Sequence, residues 1–278
     1  MKKAINVFIA ATLMFLLILG LSGVAGEALS HVLYAAACIV PALFALFSKW
    51  GEACREKARY LTLDAKRTLV FLPTAMPVVA VVMALSFVTS FIMGITLGVT
   101  NVKTPEELGG SFAVALLLHA LVPAVLEELL FRYVPLRLIA RRSTRCAVIM
   151  SSLFFALVHA DFFVIPYAFF AGVAFMVIDI ALDSIYPSII IHFINNALSV
   201  VFVFYGENAT VSGVIYLAVA VLTLVSALFI FLKRKEYASL IKKAFVKGEG
   251  YKGSSEVLLV IVPCLVLAAV RLIGAIIK

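Results

Sequence analysis

The chain has 278 residues, of which 64% are hydrophobic and 14% charged, and its formal net charge is +8. Because soluble domains are only about half apolar, this composition excludes an ordinary soluble protein and indicates a chain that crosses a membrane several times. The cations form short clusters between apolar runs rather than one continuous face, so we expect the lipid bilayer and no nucleic acid as a partner.

Apolar runs near the length needed to cross a bilayer recur along the whole chain. They predict an all-α, polytopic transmembrane helix bundle of about eight to nine helices, with residues 1–278 as a single integral membrane domain. The predicted segments are 4–25, 31–48, 69–99, 111–133, 146–160, 162–182, 187–205, 211–232 and 256–277.

The basic residues indicate how the chain is oriented. They cluster at the N-terminus and in 49–67, 132–145 and 233–252, which alternate crossings place on one side of the membrane. Positively charged loops are typical of the cytoplasmic side. We therefore expect a cytoplasmic N-terminus, and a prokaryotic plasma membrane is the default location.

The segment 146–160 is short for a transmembrane helix. Its residues would rise roughly 22 Å, which is less than the hydrocarbon thickness. The chain should therefore turn within the membrane, where irregular backbone is tolerated only beside protein or a water-filled cavity. This predicts that His159 and Asp161 line such a cavity.

The segment 111–133 contains the charged run LEELLFR. Glu128 and Arg132 are an i, i+4 pair on one helical face, whereas Glu127 points about 100° away from Glu128. One carboxylate can then be paired while its neighbour stays free to take a proton from water. Glu127 is the candidate base. The alternative is that both glutamates are interfacial and balance the nearby arginines.

Two further runs bring imidazole groups into apolar segments. His159 follows Phe155 by four residues, so the phenyl ring can pack against the imidazole. His192 and Asn196 are also an i, i+4 pair, and two donors on one face can stabilise an oxyanion. The alternative for each is structural, because polar side chains often hydrogen-bond neighbouring helices in membranes.

Other polar residues have simpler interpretations. Asp179 and Asp183 lie near a predicted helix end and are expected to be solvated interfacial charges. Arg271 is expected to extend outward to the membrane surface.

The three runs together supply a base, two imidazoles and an amide donor, which suits the addition of water to an acyl group. Glu127, His159 and His192 would also form a known ligand set for catalytic zinc, although the sequence lacks an HExxH motif. We expect no cofactor and no metal, while a zinc-dependent hydrolase stays open.

At these residues the chain closely resembles the CPBP or Abi family, which contains CAAX prenyl endopeptidases and bacteriocin-processing or self-immunity proteins. The family motifs EExxxR, FxxxH and HxxxN/D read here as EELLFR from Glu127 to Arg132, FALVH from Phe155 to His159, and HFINN from His192 to Asn196. The motif-bearing core is expected to span residues 111–205.

The resemblance implies an intramembrane endopeptidase that cleaves a membrane-associated peptide or protein. The predicted segments place His159 deeper in the membrane than Glu127 and His192, and a polar cavity open towards the cytoplasmic side is our hypothesis for how the three residues converge. The resemblance also implies that Glu127 activates water with the help of His159, and that His192 and Asn196 stabilise the oxyanion. Glu128 and Arg132 would organise the site.

Two readings compete with a protease. The first is a non-catalytic membrane protein with an immunity or regulatory role, in which the polar cluster only holds the bundle together. The second is a transporter that uses Glu127 and His159 as a proton relay, although the chain contains no internal repeat of the kind common in transporters.

Overall fold

The computed structural model describes residues 1–22, 26–52, 60–61, 64, 68–69, 71–99, 103–140, 142–245 and 255–277. Within these ranges the chain forms helices and no strands. The eleven helices described are α1 Lys2–Ser22, α2 Glu27–Phe47, α3 Lys49–Glu52, α4 Ala75–Leu97, α5 Phe112–Leu138, α6 Thr144–Leu157, α7 Ile165–Leu182, α8 Tyr186–Tyr205, α9 Ala209–Leu232, α10 Arg234–Ala244 and α11 Leu258–Ile277.

Eight of the described helices, namely α1, α2, α4, α5, α7, α8, α9 and α11, are long and apolar enough to cross a membrane. This confirms the predicted all-helical, polytopic architecture, and it suggests an integral membrane protein. The ninth predicted segment, 146–160, corresponds to the shorter apolar helix α6. The cytoplasmic N-terminus and the prokaryotic membrane stay predictions.

Helix α5 is irregular where it carries its charged residues. Two π-helical stretches, Leu116–Leu121 and Leu129–Tyr133, flank a short α-helical stretch, Val122–Glu128. Pro123 and Pro135 lie at the beginning of the α-helical stretches that follow the π-helical ones, and a proline has no N–H group to continue the α-helical ladder. π-bulges often occur at functional sites, so the irregular backbone indicates that α5 contributes to a functional site.

Helix α6 ends early, as its predicted length required. Its fourteen residues rise about 21 Å, less than the roughly 30 Å hydrocarbon layer. The chain then turns, with Ala160 in the left-handed region at φ 47°. His159 and Asp161 therefore lie on a turn between α6 and α7, and the Oδ1 of Asp161 accepts from the backbone N–H of Phe163 at 2.8 Å.

The turn after α6 is bound by the last helix. The Nη1 group of Arg271, on α11, donates to the carbonyl oxygen of His159 at 2.9 Å and to that of Ala160 at 3.5 Å. Carbonyl groups at a helix end lack intrahelical donors, which explains why this arginine turns towards the protein. The Arg271 side chain is nevertheless exposed, so its expected extension outward to the membrane surface stays a prediction.

Helices α6 and α7 approach each other closely in the centre of the bundle. A Cβ atom added at Gly172 of α7 would lie 2.9 Å from the Cα of Ser152 on α6. On the other side of α6, Phe154 stacks on Phe8 of α1 with ring centroids 5.3 Å apart. By contrast, α4 and α9 are largely exposed on the outside of the bundle.

We expect Gly172→Ala to lower the free energy of unfolding by about 1–3 kcal/mol, because the backbone of α6 would have to move away. Gly213→Ala on α9 is the matched control, since no atom lies within 4 Å of the added Cβ. The measurement is thermal unfolding of both purified variants in detergent. Equal unfolding temperatures for the two variants would contradict the close packing.

Candidate active site

The Glu128 and Arg132 side chains form a fully buried ion pair on α5. Both side chains are 0% exposed, and the Nε of Arg132 lies 3.2 Å from the Oε2 of Glu128. The guanidinium carbon lies 4.2 Å from the ring centroid of Phe155 and 5.5 Å from that of Phe175, and Nη1 donates to the hydroxyl of Ser151 at 3.5 Å. The alternative that both glutamates are interfacial therefore fails for Glu128.

The second oxygen of Glu128 holds an imidazole from a different helix. The Nδ1 of His192, on α8, lies 2.8 Å from the Oε1 of Glu128. Because an ionised carboxylate can only accept, Nδ1 carries a hydrogen, and Nε2 is the nitrogen turned towards Glu127. The ring also packs between Phe155 and Phe175, with centroids 5.8 Å and 5.6 Å away.

Glu127 faces a different set of partners from its neighbour. Its Oε1 accepts a hydrogen bond from the hydroxyl of Tyr34, on α2, at 2.5 Å. Its Oε2 lies 3.9 Å from the Nε2 of His192, and its side chain is 13% exposed. The two adjacent glutamates therefore have distinct environments, one with a guanidinium and an imidazole and the other with a phenol and an imidazole.

His159 is joined to the cluster through a shared aromatic ring. Its Nδ1 lies 2.7 Å from the carbonyl oxygen of Phe155, so this nitrogen carries the hydrogen and Nε2 is left as the other ring nitrogen. Its ring packs edge-on against the ring of Phe155 at 5.1 Å, as the i, i+4 spacing predicts. The same phenyl ring contacts His192, which places it between the two imidazoles.

Asn196 is placed by helical register rather than by a contact with the other site residues. It lies one turn after His192 on α8, and its Oδ1 accepts from the amide of Asn195 at 3.3 Å. Of the six predicted residues, the structure thus brings four within 4 Å of one another in a chain of contacts, namely Glu127, Glu128, Arg132 and His192.

The zinc ligand set considered from the sequence is not assembled in this conformation. Among the residues that the structure describes, no three His, Cys, Asp or Glu side chains are grouped so that they could hold a metal ion. Glu127 and His192 approach each other, but the Nδ1 of His159 is bound to a carbonyl of its own helix.

The carboxyl group of Asp179 has different surroundings from those expected from the sequence. Asp179, on α7, is fully buried, and neither of its oxygens has a hydrogen-bond partner among the described residues. Ser188 neighbours both Asp179 and Glu128, but its hydroxyl donates to the carbonyl of Ile185. The expectation of a solvated interfacial charge is wrong, because Asp179 is buried within the bundle beside Ser188 of α8.

Tyr34 was missed from the sequence altogether. It is one tyrosine in an apolar helix, 93 residues before Glu127, and no motif marks it. Asp179 did carry a signal, since it interrupts the apolar run FMVIDIAL. An acidic residue in such a run is expected to face the bundle interior.

Residues 109–198 match the family model described as type II CAAX prenyl endopeptidase, Rce1-like. This part of the chain is an Rce1-like domain of the CPBP/Abi family. The domain covers about a third of the chain and includes all six motif residues, which confirms the resemblance. The comparison with curated proteins and the comparison with solved structures find no match. Tyr34 and Arg271 lie outside the Rce1-like domain.

The two glutamates should differ in what they contribute to stability. We expect Glu128→Gln to lower the free energy of unfolding by about 3 kcal/mol, because the buried guanidinium of Arg132 loses its counter-charge. Glu127→Gln is the matched control and should change stability by less than about 1 kcal/mol, since its carbonyl can still accept from Tyr34. Thermal unfolding in detergent measures both variants, and similar losses would contradict the assigned pairing.

Proposed function

We propose that the protein is an intramembrane endopeptidase that hydrolyses a peptide bond in a membrane-associated peptide or protein tail, with Glu127 as the general base. The observation that carries the proposal is the 3.9 Å separation between the Oε2 of Glu127 and the Nε2 of His192. The Rce1-like domain supports it, because membership of this family implies a CAAX-type intramembrane protease.

The space between these two atoms suits one water molecule. A separation of 3.9 Å is too long for a direct hydrogen bond, but a water can lie about 2.8 Å from both atoms. Such a water donates to the carboxylate oxygen of Glu127 and lies beside the Nε2 of His192. It is then held next to the group that takes its proton, as general-base catalysis requires.

The reaction proceeds by addition and elimination. As Glu127 takes the proton, the water oxygen bonds to the carbonyl carbon of the substrate, and negative charge develops on the carbonyl oxygen. Transfer of that proton to the amide nitrogen then allows the C–N bond to break, which releases an amine and a carboxylic acid. Donors aimed at the developing charge are worth several kcal/mol in a water-poor site.

Five other residues support this chemistry in the proposal. The Nε2–H of His192 and the amide of Asn196 lie on one face of α8 and donate to the oxyanion. The Nε2 of His159 assists from the turn after α6. The Glu128–Arg132 pair holds the imidazole of His192 through its Nδ1, so that Nε2 keeps facing Glu127.

The substrate is proposed to enter a polar cavity from the cytoplasmic leaflet or between helices. The short helix α6 supports this arrangement, because it rises about 21 Å before the turn that carries His159, which is less than the roughly 30 Å hydrocarbon layer. A membrane-embedded site also restricts the substrate to segments that are themselves bound to the membrane.

We expect Glu127→Gln to lower the rate of peptide cleavage by about 10²- to 10⁴-fold, because the base is lost while the fold is kept. Peptide termini from cells that express the wild type or the variant are compared by proteomics, and termini that depend on Glu127 identify substrates for assays with purified protein. Glu106→Gln, which changes an exposed glutamate in a loop, is the control. Identical termini and identical cleavage rates would favour a non-catalytic immunity or regulatory protein.

Cleavage by the purified protein should persist in 1,10-phenanthroline, because the proposed base acts on water without a metal. The assay compares initial rates with and without the chelator and includes a zinc protease as a positive control for chelation. Loss of cleavage that added zinc restores would instead support the zinc-dependent version, with Glu127, His159 and His192 as candidate ligands.

A further inference from the structure

The proposed base is bound by a side chain from outside the Rce1-like domain. The hydroxyl of Tyr34 donates to the Oε1 of Glu127 at 2.5 Å, and the phenol belongs to α2 rather than to residues 109–198. We propose that Tyr34 is a positioning residue of the hydrolase site, which binds one oxygen of Glu127 and leaves the other as the oxygen that takes the proton. This inference rests on the proposed function.

The two oxygens of the Glu127 carboxylate are chemically equivalent, so only their surroundings can give them different roles. Oε1 is bound by Tyr34, and Oε2 is directed towards the Nε2 of His192. If the phenol hydroxyl were removed, the carboxylate would be free to rotate and to shorten its 3.9 Å separation from the Nε2 of His192 to a direct contact of about 2.8 Å. A direct hydrogen bond between the two would occupy the place of the water, and the reaction would lose its nucleophile.

Tyr34 can position Glu127 only if α2 itself is held in register with α5. Contacts one turn away on either side provide this. His31 packs edge-on against His119 of α5, with ring centroids 6.2 Å apart. Cys38, which is buried, lies beside both Tyr34 and the Glu127 carboxyl. His31, Tyr34 and Cys38 therefore form one face of α2 that follows α5 from His119 to Glu127.

The test is Tyr34→Phe, which removes the hydroxyl and keeps the ring. We expect kcat to fall by about 10- to 100-fold, as misplacement of a reacting group by about 1 Å can cause, while KM changes less than about twofold. The unfolding temperature should match that of the wild type. Tyr216→Phe on α9, where the side chain is 58% exposed, is the matched control and should leave kcat and KM unchanged.

A double variant separates an effect through Glu127 from an independent one. In the Glu127→Gln background, adding Tyr34→Phe should cause no further loss of activity, because the group that Tyr34 positions has already been lost. A further loss of 10-fold or more would overturn the inference. The inference would also be overturned if Tyr34→Phe kept the wild-type kcat or changed KM alone. A fall in kcat that only matches a loss of folded protein would overturn it as well.

The failure of this inference and that of the proposed function give different results. If the wild type cleaves, Glu127→Gln does not, and Tyr34→Phe equals the wild type, then the hydrolase stands and the role of Tyr34 is rejected. If the wild type and Glu127→Gln cleave equally, the proposed function fails, and the inference about Tyr34 fails with it.

Discussion

The guanidinium of Arg132 is a positive charge buried in a bilayer-spanning bundle, and the arrangement of the surrounding helices follows from the partners that it needs. An unpaired charge at this depth would be unfavourable by several kcal/mol. Its partners come from three helices, namely Glu128 on α5, Ser151 and Phe155 on α6, and Phe175 on α7. Glu128 in turn binds His192 on α8. The buried guanidinium and its carboxylate partner thereby contact side chains from four helices.

The division of roles between the adjacent glutamates follows from the same constraint. Residues one apart on a helix point about 100° from each other, so Glu128 can face the buried cation while Glu127 faces α2. There Glu127 meets the phenol of Tyr34 and the edge of His192. A structural carboxylate and a candidate base can therefore be neighbours in sequence, and the first helps to orient the imidazole that the second faces.

The turn after α6 shows how the flanking helices complete the site. The short helix leaves the carbonyls of His159 and Ala160 without partners in the helix, and Arg271 of α11 supplies the donor. In the same way, the hydroxyl of Tyr34, on α2, donates to the carboxylate of Glu127. The Rce1-like domain contains all six motif residues, whereas these two contacts come from helices before and after it. The flanking helices thus contribute polar contacts as well as membrane-spanning surface.

Contacts within one helix were predictable, because they depend only on spacing along a regular backbone. The Glu128–Arg132 pair and the packing of Phe155 on His159 are both i, i+4 contacts of this kind, and the predicted short α6 depends only on its length. The burial of Asp179 was not predicted, because it depends on how α7 packs against α8, which carries Ser188.

The sequence by itself determined that this is an all-helical membrane protein with a Glu, His and Asn motif set, because apolar length and residue spacing are local properties. Only the tertiary structure decided which oxygen of which glutamate meets Tyr34, His192 or Arg132. Tyr34 and Glu127 are 93 residues apart, and their contact depends on how whole helices pack, which no spacing in one segment encodes.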